Sequence, residues 1–362
     1  MSESRIADLV WEPLRIPLHT PFAISQETTE WTDNWFVRLI VTDGWEGWGE
    51  AAPSRALMNE TADSVKEALE KVAPLLIGQP VSWSLLHGQV GEVLTHHRAA
   101  RGALEMALLD AIGKKQGRPL WLFFGGATDQ LETDVTIPIL PKDQVEELTK
   151  RFVSMGFRRF KIKLSGEWEE DLERIVTVHR LTGRSWLQLD ANQAYQPNDA
   201  LVLLARLGEK GITPVLFEQP VERADLKGLA WLTQRSVVPI IADESVTSEE
   251  DAVRLIAQKA AHGINIKVMK TGFSESLRII QRAKEAGLLL MIGAMVETEL
   301  GLTAAAQLAA GVGGFAFYDL DTHLFLEKSF FEPGFVASGP VFRMTNRPGW
   351  GVLRKGGSLT AP

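Results

Sequence analysis

Lys161 and Lys163 stand one residue apart in Arg158-Arg159-Phe160-Lys161-Ile162-Lys163-Leu164. The alternation predicts a strand, with Phe160, Ile162 and Leu164 on one side and the two lysines on the other. Helix-like runs flank it, one over residues 143–155 closed by Gly156 and one starting near Glu167. A strand between helices is buried on both faces, where unpaired ammonium groups are costly. Either this is an edge strand with a solvated basic face, or something anionic lies inside. Three later apolar runs each end in an acid: Leu187-Gln188-Leu189-Asp190, Val215-Leu216-Phe217-Glu218 and Ile240-Ile241-Ala242-Asp243. A third lysine, Lys267, ends Ile264-Asn265-Ile266-Lys267, and Asp319 ends a run from Ala316. An acid after a strand is commonly a helix N-cap, but three on successive strands point to a shared task. Three converging carboxylates repel one another, and a divalent cation with oxygen ligands resolves the conflict. The chain has no cysteine and its seven histidines show no ligand spacing, which favours Mg²⁺ or Mn²⁺ over zinc. The expected ligands are Asp190, Glu218 and Asp243.

A carboxylate substrate on that ion, with a lysine on each face of its α-carbon, is set up for proton abstraction and return. Lys163 and Lys267 would be the bases, and Lys161 would stabilise the enediolate. Each base needs a pKa lowered from about 10.4 by the ion, like-charged neighbours and burial.

The elements that must position these groups follow from the rest of the chain. From Thr133 onward short apolar strands alternate with amphipathic helices: 134–139, 159–164, 186–190, 215–218, 240–243, 264–267, 288–292 and 316–319. Eight strands at this spacing imply an α/β fold with a parallel β/α barrel, whose strand C-termini form the open mouth. No Gly-x-Gly-x-x-Gly turn supports a dinucleotide-binding open sheet. Residues 1–130 read as an α+β unit. It has a hairpin turning at Thr42-Asp43-Gly44, a polar aperiodic loop over Thr20–Asn34, and a second loop, Ala52–Asn59, with Asn59 capping a helix from Glu60 to Leu76. Further helices are expected over 84–95 and 98–116. Residues 324–362 read as a Gly/Pro-rich tail that packs back on the first unit, leaving 131–323 as the barrel.

Composition bounds the partners. The 362 residues are 45% hydrophobic and 23% charged, as in ordinary globular proteins, and the net charge of −8 argues against general nucleic-acid binding. No run approaches the roughly 20 apolar residues of a membrane span, and the N-terminus lacks signal-peptide blocks, so a cytoplasmic location without membrane partners is expected. A homo-oligomer is compatible with exposed barrel helices.

As a set these motifs resemble the enolase superfamily, in the branch of muconate cycloisomerases, o-succinylbenzoate synthases and dipeptide epimerases. Lys161-Ile162-Lys163 matches its Lys-x-Lys strand. Leu189-Asp190-Ala191-Asn192, Phe217-Glu218-Gln219-Pro220 and Ala242-Asp243-Glu244-Ser245 match its three metal signatures, and residues 264–272 match its opposing lysine strand. The resemblance implies a modified (β/α)7β barrel under an N-terminal capping domain completed by the C-terminal segment. It also implies Mg²⁺ as cofactor. Asp319-Leu320-Asp321 resembles the Asp-x-Asp pair with which dipeptide epimerases hold a substrate's α-ammonium group. Thr136, Met295 and Val296 fall where the family lines its pocket. Ala-Glu epimerases carry an arginine in the first capping loop where this chain has Glu27, which would repel a substrate glutamate, whereas Arg55 in the second loop could restore affinity for an acid. The reading is a dipeptide epimerase inverting the C-terminal residue, with a specificity other than Ala-Glu and a cationic substrate in view. The alternative is a cycloisomerase or o-succinylbenzoate synthase of the same branch.

Overall fold

The computed structural model describes residues 4–86, 89–183 and 186–356. The N-terminal part is an antiparallel sheet of β1 (Ile6–Ala23), β2 (Thr28–Val41) and β3 (Glu46–Ala51), in that order, with residues 42–45 turning between the last two. Helices α1 (Arg55–Met58), α2 (Ala62–Leu76), α3 (Gln89–Val93), α4 (Arg98–Lys115) and α5 (Leu120–Phe123) follow. The sheet rests on α4 at very short range: a Cβ on Gly47 or Gly49 would stand 1.8 or 2.0 Å from the carbonyl oxygen of Ala107 or Ala103. Only glycine permits that approach.

Three local expectations are corrected. Thr20–Asn34 is not a long loop, because β1 and β2 pair out to Ala23 and Thr28 and leave only residues 24–27 as the turn. The polar character of the arm misled because Thr32 and Asn34 are buried beside a polar cavity, so inward positions there are not apolar. Asn59 does not cap α2; with φ 57° it ends α1, and Thr61 is the N-cap, exchanging hydrogen bonds with Ser64 in a capping box. The helix expected over 84–95 is broken into 3₁₀ turns and the short α3, with residues 87–88 outside the described residues.

The short strand β4 (Gln130–Glu132) leads into the barrel. Its strands are β5 (Val135–Ile137), β6 (Arg159–Lys163), β7 (Trp186–Asp190), β8 (Leu216–Glu218), β9 (Ile240–Ala242), β10 (Gly263–Lys267), β11 (Leu289–Gly293) and β12 (Phe315–Asp319). They lie side by side in chain order and parallel, and the Asp134 N–H donates to the Tyr318 carbonyl at 2.9 Å between the first and last. Several are a residue or two shorter than the sequence suggested; β5 spans only three residues. The seven intervening layers are α6 (Lys142–Ser154), α7 (Trp168–Thr182), α8 (Pro197–Glu209), α9 (Leu226–Thr233), α10 (Glu249–Ala257), the pair α11 (Val268–Thr271) and α12 (Phe273–Glu285), and α13 (Glu299–Val312). Among the described residues only a 3₁₀ turn, Thr322–Phe325, and no α-helix follows β12, which gives the (β/α)7β arrangement. No helix among the described residues is long and apolar enough to cross a membrane.

The C-terminal strands β13 (Phe331–Glu332), β14 (Phe335–Ser338), β15 (Val341–Met344) and β16 (Leu353–Arg354) touch both parts. Phe331 packs edge-on to Phe36 and Trp48 at 5.0 and 5.5 Å, while β15 pairs with β4. Asp110 on α4 accepts the N–H groups of Trp48 and Trp350, each at 2.9 Å, and so ties the sheet to the tail through one buried carboxylate.

Candidate active site

Period-two alternation builds the site in layers. Leu216, Ile241, Met291 and Phe317 form a separate apolar cluster inside the barrel. Two residues further along the same strands and onto the same face come Glu218, Asp243, Gly293 and Asp319. The apolar plug thus supports a polar layer at the C-terminal mouth. On β6 both inward positions are lysine, and on β10 they are Asn265 and Lys267.

The polar layer is a lattice of buried ions. The Lys161 ammonium, fully buried, lies 2.6 Å from Asp319, 2.9 Å from Asp190 and 2.8 Å from Glu218. Lys163 donates to Asp190 at 2.6 Å and to the Asn192 side chain at 3.2 Å. On the other side Lys267 is 2.7 Å from Asp243, whose second oxygen accepts from Lys270 at 2.7 Å. Asn265 donates to Glu218 at 2.7 Å. The anionic interior expected around the lysines is therefore present, and the edge-strand alternative is excluded.

Ionisation follows from this crowding. Burial raises the Asp190 and Asp243 pKa values, but adjacent ammonium groups outweigh it and hold both carboxyls below the usual range. Glu218 has less cationic help, and burial with the neighbouring Asp190 pushes it up to about 7. Burial would lower Lys161 and Lys267, yet the surrounding carboxylates win and both stand above the usual lysine value. The lowering expected for Lys267 belongs to the ion-bound site; among the protein's own groups the charges nearest it are carboxylates, which act in the opposite direction.

The acid pair after β12 also takes shape here. Asp319 faces the cavity; Asp321 is fully buried behind it and accepts the Thr136 N–H at 2.5 Å. Burial and Asp319 push Asp321 up to about 7. A third acid joins them: Asp134, Asp319 and Asp321 offer oxygens within 4.8 Å of one another, the one such triad among the described residues. Asp134 accepts from Gln188 at 2.6 Å, and one oxygen each of Asp134 and Asp321 has no hydrogen-bond partner. Asp190, Glu218 and Asp243 are not drawn that tightly together, since lysines stand between them. Glu218 Oε2 and Asp243 Oδ2 nevertheless accept no well-aligned hydrogen bond although they are buried. Each is met by a lysine ammonium, Lys161 at 2.8 Å and Lys267 at 2.7 Å, and such anionic oxygens on adjoining strand ends suit a hard divalent cation.

Above this floor lies a cavity of about 190 Å³. Lys163 and Lys267 reach it from separate strands, with Thr136, Met295, Val296 and Asp319 around them. Its roof carries Glu27, Trp31, Asp33 and Arg55. Ser54 both caps α1 and lies 3.3 Å from Glu27. Arg15 stacks 4.2 Å from the Trp31 ring, and Trp31 donates to Asp33 at 3.1 Å. Among the described residues Arg55 makes no ion pair. The turn between β1 and β2 is fastened to the mouth by Ser25, which donates to the Ala191 and Asn192 carbonyls at 3.0 Å.

Comparison with known proteins accounts for both halves. Residues 7–125 match the mandelate racemase / muconate lactonizing enzyme N-terminal domain, and residues 144–354 match the enolase C-terminal domain-like family. The chain belongs to the mandelate racemase/muconate lactonizing enzyme family. An L-Ala-D/L-amino acid epimerase of Populus trichocarpa is 39% identical over 345 residues, covering 93% of this chain and 82% of the relative. An aromatic dipeptide epimerase of Herpetosiphon aurantiacus is 38% identical, covering 94% of this chain and 96% of the relative. A solved mandelate racemase/muconate lactonizing protein from that organism superposes with a TM-score of 0.95 at 37% identity, covering 98% of this chain and 100% of the other. A dipeptide epimerase from Methylococcus capsulatus, solved with Mg and L-Arg-D-Lys, has a TM-score of 0.89 at 33% identity, covering 96% and 99%.

Within this family member, sequence reasoning passed over Asp134, Asn34, Asp33 and Trp31. Asp134 immediately precedes the three-residue strand β5 and carries no apolar run before it. The other three lay in the stretch read as loop. His323, on the 3₁₀ turn after β12, packs its ring against Phe335 and Phe342.

Proposed function

We propose that the protein is a Mg²⁺-dependent dipeptide epimerase that inverts the α-carbon of the C-terminal residue through Lys163 and Lys267. The observation that carries this reading is that these two lysines enter one cavity from β6 and β10, with Asp319 lining it from β12. The dipeptide epimerase names of the relatives and the Mg-dipeptide complex of the Methylococcus structure support it.

Asp190, Glu218 and Asp243 would hold the ion. Mg²⁺ there would stabilise the enediolate charge of the substrate and offset the carboxylate charge around the lysines; Mn²⁺ shares the oxygen preference. One lysine, neutral, takes the α-hydrogen as a proton and leaves the electron pair on the substrate carboxylate. The opposing ammonium returns a proton to the other face, so the centre inverts and charge balances. Lys161 stays protonated among its carboxylates and donates toward the enediolate. Asp319 and Asp321 receive the α-ammonium group, which a dicarboxylate substrate of a cycloisomerase lacks. On the roof Asp33 pairs with Arg15 at 3.7 Å, and it is the Glu27 carboxylate that favours a neutral or cationic second residue over glutamate. In this reading residues 1–130 and 324–362 close over the 131–323 barrel.

Incubating a dipeptide library with enzyme and Mg²⁺ in D₂O tests this. Mass spectrometry should show a gain of one unit in dipeptides with neutral or basic second residues. Absence of label in every dipeptide would reject epimerisation, and Ala-Glu as best substrate would reject the roof assignment.

A further inference from the structure

Glu50 lies on β3, outside the cavity, yet it is fully buried and gathers donors from two directions. From the barrel side, its carboxylate accepts the Thr298 N–H at 2.9 Å, the Thr298 hydroxyl at 2.6 Å and the Gly301 N–H at 3.0 Å. These are orphan donors of the first turn of α13, so an acid from the capping sheet closes a helix of the barrel, with the favourable sign for a helix N-terminus. From its own sheet it accepts the Asn34 amide at 2.8 Å. The same Asn34 amide nitrogen donates onward to the Val296 carbonyl at 2.9 Å, and Asn34, Met295 and Val296 all line the cavity.

The segment so gripped, residues 294–298, has little freedom left. The Met295 N–H is held by the Glu297 carboxyl at 2.8 Å, and Glu297 is joined to Thr322 through both its N–H and its carbonyl. Gly301 lies against the Glu297 side chain, where a Cβ would stand 2.3 Å from Oε2 and displace that carboxyl. Val296 is thus fixed from the cap through Asn34 and from the helix start through Glu50. A stability role alone would require only the contacts to α13. The extra link through Asn34 leads into the cavity wall.

We propose that Glu50 and Asn34 are a positioning pair that sets the path of residues 294–298 and, through Val296, the selectivity for the side chain of the residue being inverted. This rests on the dipeptide epimerase reading. Neither residue exchanges a proton with substrate. The pair lets the capping sheet, rather than the barrel alone, define one wall of the side-chain pocket.

The test uses the full-length enzyme with saturating Mg²⁺ and two dipeptides differing only in the second residue: the preferred one, and its analogue with Ala there. Glu50→Gln places an amide N–H₂ against the helix N–H donors. Asn34→Ala removes the link to Val296 and leaves the α13 cap in place, so it serves should the first variant fail to fold. Both should lower the ratio of kcat/KM for the preferred dipeptide over the Ala analogue by about tenfold, the scale of one misplaced apolar contact. The double variant should lose little more, because the two act as a unit. Equal loss on both dipeptides, or an unchanged ratio, would make Glu50 a plain helix cap and overturn the proposal. Absence of exchange by the wild-type enzyme on any dipeptide would overturn the epimerase reading itself and the proposal with it.

Discussion

The floor and the roof of the cavity are built on different terms. On the floor Lys161, Lys163, Asp190, Glu218, Asp243 and Lys267 sit on or beside parallel strands, are buried, and are each matched by an opposite charge within 3 Å. On the roof Glu27, Asp33 and Arg55 stand on the turn and arms of the first hairpin and on a one-turn helix, partly or fully exposed and loosely partnered. Rigid buried ions suit one invariant proton transfer, whereas an adaptable rim suits the choice among side chains. The difference implies that floor changes will strike rate and roof changes will strike preference.

The largest break should come from the floor. Lys163→Ala or Lys267→Ala should cost at least about 10²-fold in epimerisation, the usual weight of a general base, with Mg²⁺ affinity retained. Equal activity in either variant would dissolve the distinction. Next, Asp319→Asn should raise KM for dipeptides by about tenfold to a hundredfold, as expected for losing a charge-assisted bond to the ammonium group. Dipeptides acetylated at the amine should be poor substrates of both forms.

How far the sequence carried is visible in these same regions. Lys161, Lys163, Asp190, Glu218, Asp243 and Lys267 could be located because each ends or interrupts an apolar run, and burial makes a polar residue in such a run conspicuous. Asp134 was hidden because it stands before the apolar run of β5 rather than ending or interrupting one. The roof was misread as loop because β1 and β2 extend as an arm whose inner face meets a polar cavity, so hydrophobic alternation, the signal that marks strands, is absent there. The charge of Glu27 could be read, but not that Asp33 would stand beside it.

A smaller effect sharpens the roof. Glu27→Arg should shift preference toward acidic second residues by about fivefold, the scale of an exposed ion pair. Competition assays with paired acidic and basic dipeptides would show it, and a shift the other way would reassign the specificity charge to Arg55.

The smallest expected effect lies where roof and floor join. Burial, and then Glu50, pushes the Glu297 carboxyl from about 4.5 up to about 8. The folded state therefore holds that proton more tightly than the unfolded chain does, and its contribution is full at low pH and lost as pH rises through that window. Stability should fall with rising pH by at most about 1.4 kcal/mol per unit from this group. In Glu297→Gln that component of the slope should vanish in thermal melts at fixed Mg²⁺, and an unchanged slope would place the titration elsewhere.

The central claim, that two lysines serve opposite faces of one α-carbon, is tested most directly by following each epimer separately in D₂O with the Lys267→Ala enzyme. The account predicts α-deuterium entering one epimer of the preferred dipeptide at a measurable rate while the other stays protiated. Exchange into both epimers at comparable rates would show that Lys267 is not a base for either, and loss of exchange from both would contradict a division of labour between the two lysines.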